Sequence, residues 1–391
     1  MGTREQWVNS QPTVSGMSNA DGPLVACLGD MVADTNNAGT TMDAQHASVA
    51  QLILHNKPDY YVALGDNCYD NGALEMFQTE YDRTFGQLKD RTLFCVGNHE
   101  LAGCLDGWRT DPVTVVSGGT AGSTQVVLTG IPTGLAVGNY ITFNPSDPVL
   151  MTGTSKTVSA INGTTITMST PLAADIPAQS TAWTVNDGRG FYSYAGMRAG
   201  PPMRGYHAKN IGRWRWYFLN STSGSVAAAG SAQLKWLASD LEAHPNRPII
   251  ASWHHPRWTD GSSGSVADDN NYDPLVQLLQ NTGRCQAIIT AHDHNYQRWH
   301  KIRSQGPSLD PLYNQANGFM YFIVGCGGQN QRYSLRSTNI RRSFGQHTNY
   351  GALFVRLGAS QWSYQFRQRT DANSAGVMVE EGLVPIFGVS N

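Results

Sequence analysis

Short apolar runs alternate with segments of helical periodicity through the first hundred residues, and the same alternation returns after residue 210. The runs are almost wholly apolar, which is typical of strands buried on both faces. The predicted strands are Leu24–Leu28, Asp59–Leu64, Thr92–Val96, Trp214–Leu219, Pro248–Trp253, Cys285–Thr290, Phe319–Val324, Ala352–Leu357 and Trp362–Phe366. The predicted helices between them are Ala44–Asn56, Leu74–Leu88, Ser231–His244 and Asp273–Gln280. This order predicts βαβ units and an α/β fold, classed as α+β in some schemes.

The pattern changes between residues 111 and 187, where Thr, Val, Gly and Ser dominate and charged residues are scarce. Alternating runs such as Thr124–Leu128 and Thr164–Met168 are separated by turn residues, which predicts an all-β segment. Because exposed loop tips tolerate insertions, we expect a β-rich domain over 111–187, inserted into an α/β domain formed by 23–110 and 188–391. Residues 1–22 are expected to form an irregular N-terminal arm.

Polar residues that can bind metal follow the ends of five predicted strands. In an open α/β sheet, the carboxyl ends of the strands converge on the ligand crevice. The side chains placed there are Asp30, Asp66, Tyr69, Asn98, His254, His292 and His294. Seven such ligands are enough for two metal ions, and Asp66 is the natural bridging carboxylate for cations roughly 3.5–4 Å apart. Oxygen and nitrogen ligands without thiolate favour Fe, Mn or Zn.

Charge and composition narrow the set of partners. The 391 residues include 27 Lys and Arg and 29 Asp and Glu, and no basic stripe is present, so we expect no binding to nucleic acid. No apolar run is long enough to span a bilayer, and the first residues lack a signal-peptide core. The loop-rich, weakly charged composition suggests a secreted or periplasmic protein whose leader is absent from this chain. The oligomeric state stays open.

The six cysteines lack the CxxC spacing of a zinc ribbon. Cys27, Cys95 and Cys285 lie in apolar runs and are expected to be buried thiols. Cys95 and Cys104 flank a loop short enough for a disulfide, although the sequence leaves that pairing open.

The ordered blocks Gly29-Asp30, Gly65–Tyr69, Gly97–Glu100, His254 and Ala291–Arg298 resemble the calcineurin-like metallophosphoesterase superfamily, and within it the purple acid phosphatases. The resemblance covers about residues 24–110 and 188–370, so the α/β domain would be catalytic. It implies a β-sandwich flanked by helices, with the metals at its edge. It leaves the β-rich insert unexplained.

The resemblance also implies a ligand set for each metal. The first metal, ferric in purple phosphatases, would be held by Asp30, Asp66, Tyr69 and His294. The second, divalent Fe, Zn or Mn, would be held by Asp66, Asn98, His254 and His292. Most of the superfamily has a histidine two residues after the first aspartate. Val32 stands there in this chain, and Tyr69 fits as the replacement, which favours the purple branch.

The expected activity is hydrolysis of a small phosphomonoester by a metal-bound hydroxide at the binuclear centre, because a bound metal lowers the pKa of water from 15.7 to about 7. The resemblance places His99 beside the phosphate. His255, next to His254, is a second candidate proton donor to the leaving group. Asn98, His99 and His255 are therefore predicted to contact substrate. Arg257 and Arg298 are expected to be exposed.

Two alternatives remain from the sequence. One is a phosphodiesterase or nucleotidase of the same superfamily. The other is a non-catalytic surface-binding protein in which the phosphatase core is degenerate and the β-rich insert carries the function.

Overall fold

A computed structural model describes the chain over residues 22–32, 41–69, 72, 74–101, 113–132, 135, 137, 140–143, 156–185, 188–201, 204–222, 224–261, 268–306, 311–329, 333–336, 342–370 and 375–389. These residues form two units. The sandwich unit comprises the described residues within 1–69, 78–98 and 195–391, and the barrel unit comprises those within 70–77 and 99–194. The predicted N-terminal arm lies outside the described residues.

The described strands, numbered along the chain, belong to four sheets. They are β1 (Leu24–Leu28), β2 (Tyr60–Ala63), β3 (Thr92–Phe94), β4 (Val113–Ser117), β5 (Gln125–Leu128), β6 (Tyr140–Phe143), β7 (Lys156–Asn162), β8 (Thr165–Met168), β9 (Thr181–Val185), β10 (His207–Ile211), β11 (Trp214–Phe218), β12 (Ile249–Ser252), β13 (Cys285–Thr290), β14 (Tyr296–Trp299), β15 (Ile302–Arg303), β16 (Leu312–Tyr313), β17 (Met320–Val324), β18 (Arg342–Gln346), β19 (Gly351–Leu357), β20 (Gln361–Gln368) and β21 (Val377–Pro385).

The described α-helices are few and mostly short. They are α1 (Thr41–Asn56), α2 (Leu74–Met76), α3 (Asp82–Thr84), α4 (Arg189–Ala195), α5 (Gly224–Ala227), α6 (Ala232–Ala243) and α7 (Asp273–Asn281). At the start of α6 the Ser231 hydroxyl accepts the backbone N–H of Leu234 at 3.2 Å, as the sequence predicts for a capping serine. None of the helices in the described ranges combines the length and apolarity needed to cross a bilayer.

Two sheets form the sandwich unit. The first has the order β21-β20-β19-β1-β2-β3, with β1, β2 and β3 parallel. The second has the order β10-β11-β12-β13-β17-β14-β18, with β11, β12, β13 and β17 parallel. Their parallel strands are buried on both faces, which explains their continuous apolar sequence. The carboxyl ends of β1–β3 and of β12 and β13 are therefore available to build one site.

Aromatic side chains of β20 join the two sheets. Tyr364 packs edge-on against Phe322 at 5.2 Å between ring centroids, and Phe366 stacks on Tyr296 at 3.8 Å. On the outer face of the second sheet, α6 and α7 contribute apolar residues to a core with β11–β13 and β17. The α/β sandwich flanked by helices is thus confirmed.

The barrel unit contains a closed six-stranded barrel with the order β4-β5-β8-β7-β6-β9. Its interior holds Val115, Val126, Leu128, Ile141, Phe143, Ile166 and Met168. Closure leaves no exposed sheet edge. The all-β character predicted from alternating runs is confirmed, while the boundaries 111 and 187 stay a prediction.

The predicted helix Leu74–Leu88 is confirmed over residues 74–84, where α2, a π-helical turn at Phe77–Tyr81 and α3 follow one another directly. It ends before Leu88, and a 3₁₀ turn, Gly86–Arg91, follows. The hydroxyl of Thr84 contacts the backbone carbonyls of Glu80 and Tyr81, which competes with regular helical bonding. Gly86 further lowers helix propensity.

The cysteines and the Trp-rich strand are buried as predicted. Cys27, Cys95 and Cys285 are all buried. Cys104 lies outside the described residues, so its pairing with Cys95 stays open. In β11, Trp214 and Trp216 are fully buried.

We expect Glu380→Ala to lower the free energy of unfolding by about 3–5 kcal/mol, because it leaves the buried Arg298 without its ion-pair partner. Glu380 also accepts the hydroxyl of Tyr296 at 2.9 Å. Urea denaturation followed by circular dichroism measures the change. The neighbouring, partly exposed Glu381 is the control, and Glu381→Ala should change stability by only about 0.5 kcal/mol. Equal effects of the two variants would show that the ion pair between Glu380 and Arg298 does not stabilise the fold.

Candidate metal centre

Three strands end in backbone turns that are unusual for residues with a side chain. Asp30, Asp66 and His292 have positive φ angles of 58°, 47° and 66°. Non-glycine residues seldom occupy this left-handed region, and they persist there where the surrounding structure forces them, often at functional sites. The fold therefore accepts local strain to direct these three side chains.

Two glycines let the backbone pass close to the carboxylates. A Cβ on Gly97 would lie 2.2 Å from Asp66 Oδ1, and a Cβ on Gly325 would lie 2.7 Å from Asp30 Oδ2. Both distances are shorter than any normal contact, so a larger residue would displace a carboxylate. This explains the tight loop after β17.

A first cluster surrounds the hydroxyl of Tyr69. Its oxygen lies 2.8 Å from Asp30 Oδ1, 3.0 Å from Asp66 Oδ2 and 3.0 Å from His294 Nε2. His294 Nε2 is also 3.2 Å from Asp30 Oδ1. The hydroxyl has one proton to share between two carboxylate oxygens, whereas a cation can be bound by all four atoms. The donor set therefore fits a metal ion.

A second cluster surrounds Nε2 of His254. The other ring nitrogen, Nδ1, lies 2.9 Å from the carbonyl oxygen of Leu64 and donates to it, so Nε2 is the nitrogen that can face a metal. Nε2 lies 3.1 Å from Asp66 Oδ2 and 3.2 Å from His292 Nδ1. One carboxylate oxygen and two imidazole nitrogens converge here, and this donor set again fits a cation.

Asn98 supplies an independent observation. It follows β3, next to Gly97 at the Asp66 carboxylate, and its side-chain Oδ1 is buried. Within the described ranges this oxygen has no hydrogen-bond partner. Leaving a buried acceptor unsatisfied costs about 1–3 kcal/mol, a cost that a metal–oxygen bond would remove. The amide oxygen is thus prepared as a ligand.

Burial and neighbouring charges set the protonation of the cluster. Burial raises the pKa of Asp30, but the attraction of His294 and its hydrogen bond outweigh this, so the pKa lies below its usual value. Burial, followed by the charges of Asp30 and Asp66, raises the pKa of Tyr69 well above the ordinary phenol value. Without a cation beside it, the Tyr69 phenol therefore stays protonated. Tyr69 can become a phenolate ligand only when a metal ion is bound. Burial, followed by His254, lowers the pKa of His292 to about 4, so its imidazole is neutral at pH 7.

The two candidate proton donors, His99 and His255, belong to different units. One nitrogen from each ring of His254, His255 and His292 lies within 4.8 Å of the other two. Burial, followed by His254 and His292, holds the pKa of His255 well below its usual value. His99 begins a turn of the barrel unit, His99–Leu101, and its role on substrate stays a prediction.

The expectation that Arg257 and Arg298 are exposed is wrong. The guanidinium of Arg257 is fully buried and makes a bidentate pair with Asp273, at 2.8 and 3.0 Å. Arg298 is buried against Glu380. The acidic partners lie 16 and 82 residues further along the chain, and sequence pattern cannot reveal such pairings.

Sequence reasoning missed two neighbours of the clusters. Ser221 follows β11 and contacts His255, and the same rule of polar residues after strands would have found it. Tyr333 stacks on the ring of His294, with centroids 4.6 Å apart and planes 5° from parallel. No periodicity or motif marks Tyr333.

Comparison with known proteins identifies the family and the fold. The family model of calcineurin-like phosphoesterases matches residues 23–296. The structure is similar to a purple acid phosphatase, PPD1, from yellow lupin (Lupinus luteus) seeds, with a TM-score of 0.59 and 15% identity over 96% of this chain and 55% of that one. It is also similar to GAP50, the anchor in the inner membrane complex of Plasmodium, with a TM-score of 0.52 and 13% identity over 93% of this chain and 89% of that one.

At 15% and 13% identity, these solved structures are evidence for the fold alone. The chain spans little more than half the length of the lupin phosphatase, 55%. No curated protein sequence matches the chain.

We expect Asp66→Ala to lose both cations, because Oδ2 of Asp66 takes part in both clusters. Inductively coupled plasma mass spectrometry after loading with Fe, Zn or Mn and dialysis gives the metal content per chain. Asp240→Ala, which removes a carboxylate paired with Arg215 instead, should keep the full content. Retention of two cations by a folded Asp66→Ala protein would rule out the bridging role.

Proposed function

The chain belongs to the calcineurin-like phosphoesterase family, and from this premise we infer that it hydrolyses phosphomonoesters at a binuclear metal centre. Family membership indicates a phosphoester hydrolase. The binuclear centre and the preference for monoesters are our proposal. The proposed ligands are Asp30, Asp66, Tyr69, Asn98, His254, His292 and His294.

One observation carries the proposal. Oδ2 of Asp66 lies 3.0 Å from the Tyr69 oxygen and 3.1 Å from His254 Nε2, so one carboxylate oxygen belongs to both ligand clusters. A carboxylate shared in this way is the arrangement that two-metal hydrolytic sites require. The orphaned oxygen of Asn98 supports a second cation beside the first.

Two bound cations would activate water and neutralise charge on the phosphoryl oxygens. Hydrogen bonds within the chain orient the proposed ligands. The Leu64 carbonyl fixes the tautomer of His254, and the backbone N–H of His292 donates to Asp30 Oδ2 at 2.8 Å. We propose that His255 and His99 donate to the phosphoryl or leaving-group oxygen.

Tyr69 supports iron in the first site, because its buried phenol loses its proton only next to a strongly positive ion. The divalent second site would take Fe, Zn or Mn, all of which accept imidazole and carboxylate ligands. A small phosphate ester as substrate and a secreted or periplasmic location remain predictions, as does the absence of nucleic-acid binding.

A rival function is non-catalytic attachment. The likeness to GAP50 extends over most of both chains, and GAP50 is described as an anchor, which motivates this alternative. The convergence of the predicted ligand atoms favours catalysis, because a degenerate core would have no need for buried carboxylates in strained turns. A phosphodiesterase or nucleotidase of the same family differs only in substrate.

We expect the metal-loaded protein to hydrolyse para-nitrophenyl phosphate faster than bis(para-nitrophenyl) phosphate, since the proposal assigns it monoesters. With iron bound, the protein should show a visible tyrosinate-to-iron absorption band. Tyr69→Phe should lose that band and lower the monoester rate, whereas Tyr60→Phe, at the start of β2 and away from the clusters, should keep both. A fully loaded protein that hydrolyses neither ester would support the attachment function, and faster diester hydrolysis would support the phosphodiesterase.

A further inference from the structure

Ser221 is a fully buried residue that follows β11, and among the described residues its hydroxyl hydrogen-bonds to His255 alone. The backbone N–H of His255 donates to Ser221 Oγ at 2.9 Å, and Nδ1 of the same imidazole lies 3.0 Å from that oxygen. We propose that Ser221 is a positioning residue, which holds the His255 imidazole so that its Nε2–H donates a hydrogen bond to the phosphoryl group. This inference rests on the proposed phosphatase function.

The two contacts determine which ring nitrogen carries the proton. A serine hydroxyl has one proton to donate, and here its oxygen already accepts the backbone N–H of His255. Donation from Ser221 to Nδ1 satisfies the hydroxyl proton. If Nδ1–H donated to Ser221 instead, the hydroxyl proton of Ser221 would be buried without an acceptor, which is unfavourable. Nδ1 is therefore the acceptor, and Nε2 carries the hydrogen.

This tautomer separates His255 from the two histidines beside it. One nitrogen from each ring of His255, His254 and His292 lies within 4.8 Å of the other two, so position alone would allow a third imidazole ligand. A metal ligand needs an unprotonated nitrogen, and the nitrogen left over from the Ser221 contact is protonated. His255 is thus arranged as a donor to a group bound at the second cation rather than as a ligand of that cation.

Tyr272 holds both members of the pair. Its hydroxyl donates to the carbonyl oxygen of Ser221 at 2.9 Å, and its ring stacks on His255 with planes 17° apart. The next residue, Asp273, pairs with Arg257, two residues after His255. The start of α7 therefore fixes the Ser221 backbone and the loop that carries His255, and the Ser221 hydroxyl decides the orientation of the ring.

The test compares two substitutions at Ser221 in the metal-loaded chain. Ser221→Ala should weaken inorganic phosphate binding, measured by calorimetry, and lower kcat/KM for para-nitrophenyl phosphate, each by about 10- to 100-fold, the usual effect of losing a hydrogen bond that orients a site residue. Two metal ions per chain should remain. Ser221→Thr keeps the hydroxyl and should restore both values. Ser252→Ala removes another buried serine hydroxyl, bonded to Trp216, and should leave both unchanged.

A double-mutant cycle and a spectrum complete the test. In a His255→Ala background, Ser221→Ala should cause no further loss, because Ser221 acts through His255. Independent losses, loss of metal in Ser221→Ala, or unchanged phosphate binding would overturn the inference. Nitrogen-15 NMR of the wild-type imidazole should show the Nε2–H tautomer, and Nδ1–H would overturn it even if the protein hydrolyses no ester. If the phosphatase proposal itself is wrong, the wild-type protein will hydrolyse no ester, which is a separate result.

Discussion

Two buried carboxylates within reach of one phenol are the constraint on which the site depends. Asp30 and Asp66 both lie within hydrogen-bond distance of the Tyr69 oxygen, in a region almost without solvent exposure. Burying negative charge is unfavourable unless positive charge or hydrogen bonds compensate it. The histidines compensate in part, and two cations would complete the compensation. Metal binding and folding of these strand ends are therefore expected to be coupled.

The scaffold makes this concentration of charge tolerable. Parallel strands from two facing sheets end at the site, and their buried apolar faces hold the left-handed turns at Asp30, Asp66 and His292 in place. The backbone of Val32 also contributes, because its carbonyl accepts the N–H of Tyr69 at 2.7 Å. Val32, whose side chain cannot bind metal, thus positions Tyr69, whose side chain can. The outer helices and aromatic contacts stabilise the sandwich without entering the site.

Much of this could be predicted from the sequence, because buried parallel strands are continuous apolar runs and their carboxyl ends converge. That rule identified the strand ends at Asp30, Asp66, Asn98, His254 and His292. It could not identify the ion pairs of Arg257 and Arg298, whose partners are distant in the chain, nor the stacking of Tyr333. The predicted helix after residue 74 is shorter than the apolar spacing indicates, because local hydroxyl–carbonyl bonds and a glycine act against its last predicted turn.

Anomalous X-ray diffraction from crystals of the metal-loaded protein shows directly whether Asp66 bridges two cations. We expect two peaks roughly 3.5–4 Å apart, one on either side of the Asp66 carboxylate. The first should lie beside Tyr69 and His294, and the second beside Asn98 and His254. A single peak, or peaks that do not contact Asp66, would show that Asp66 is not a bridging ligand.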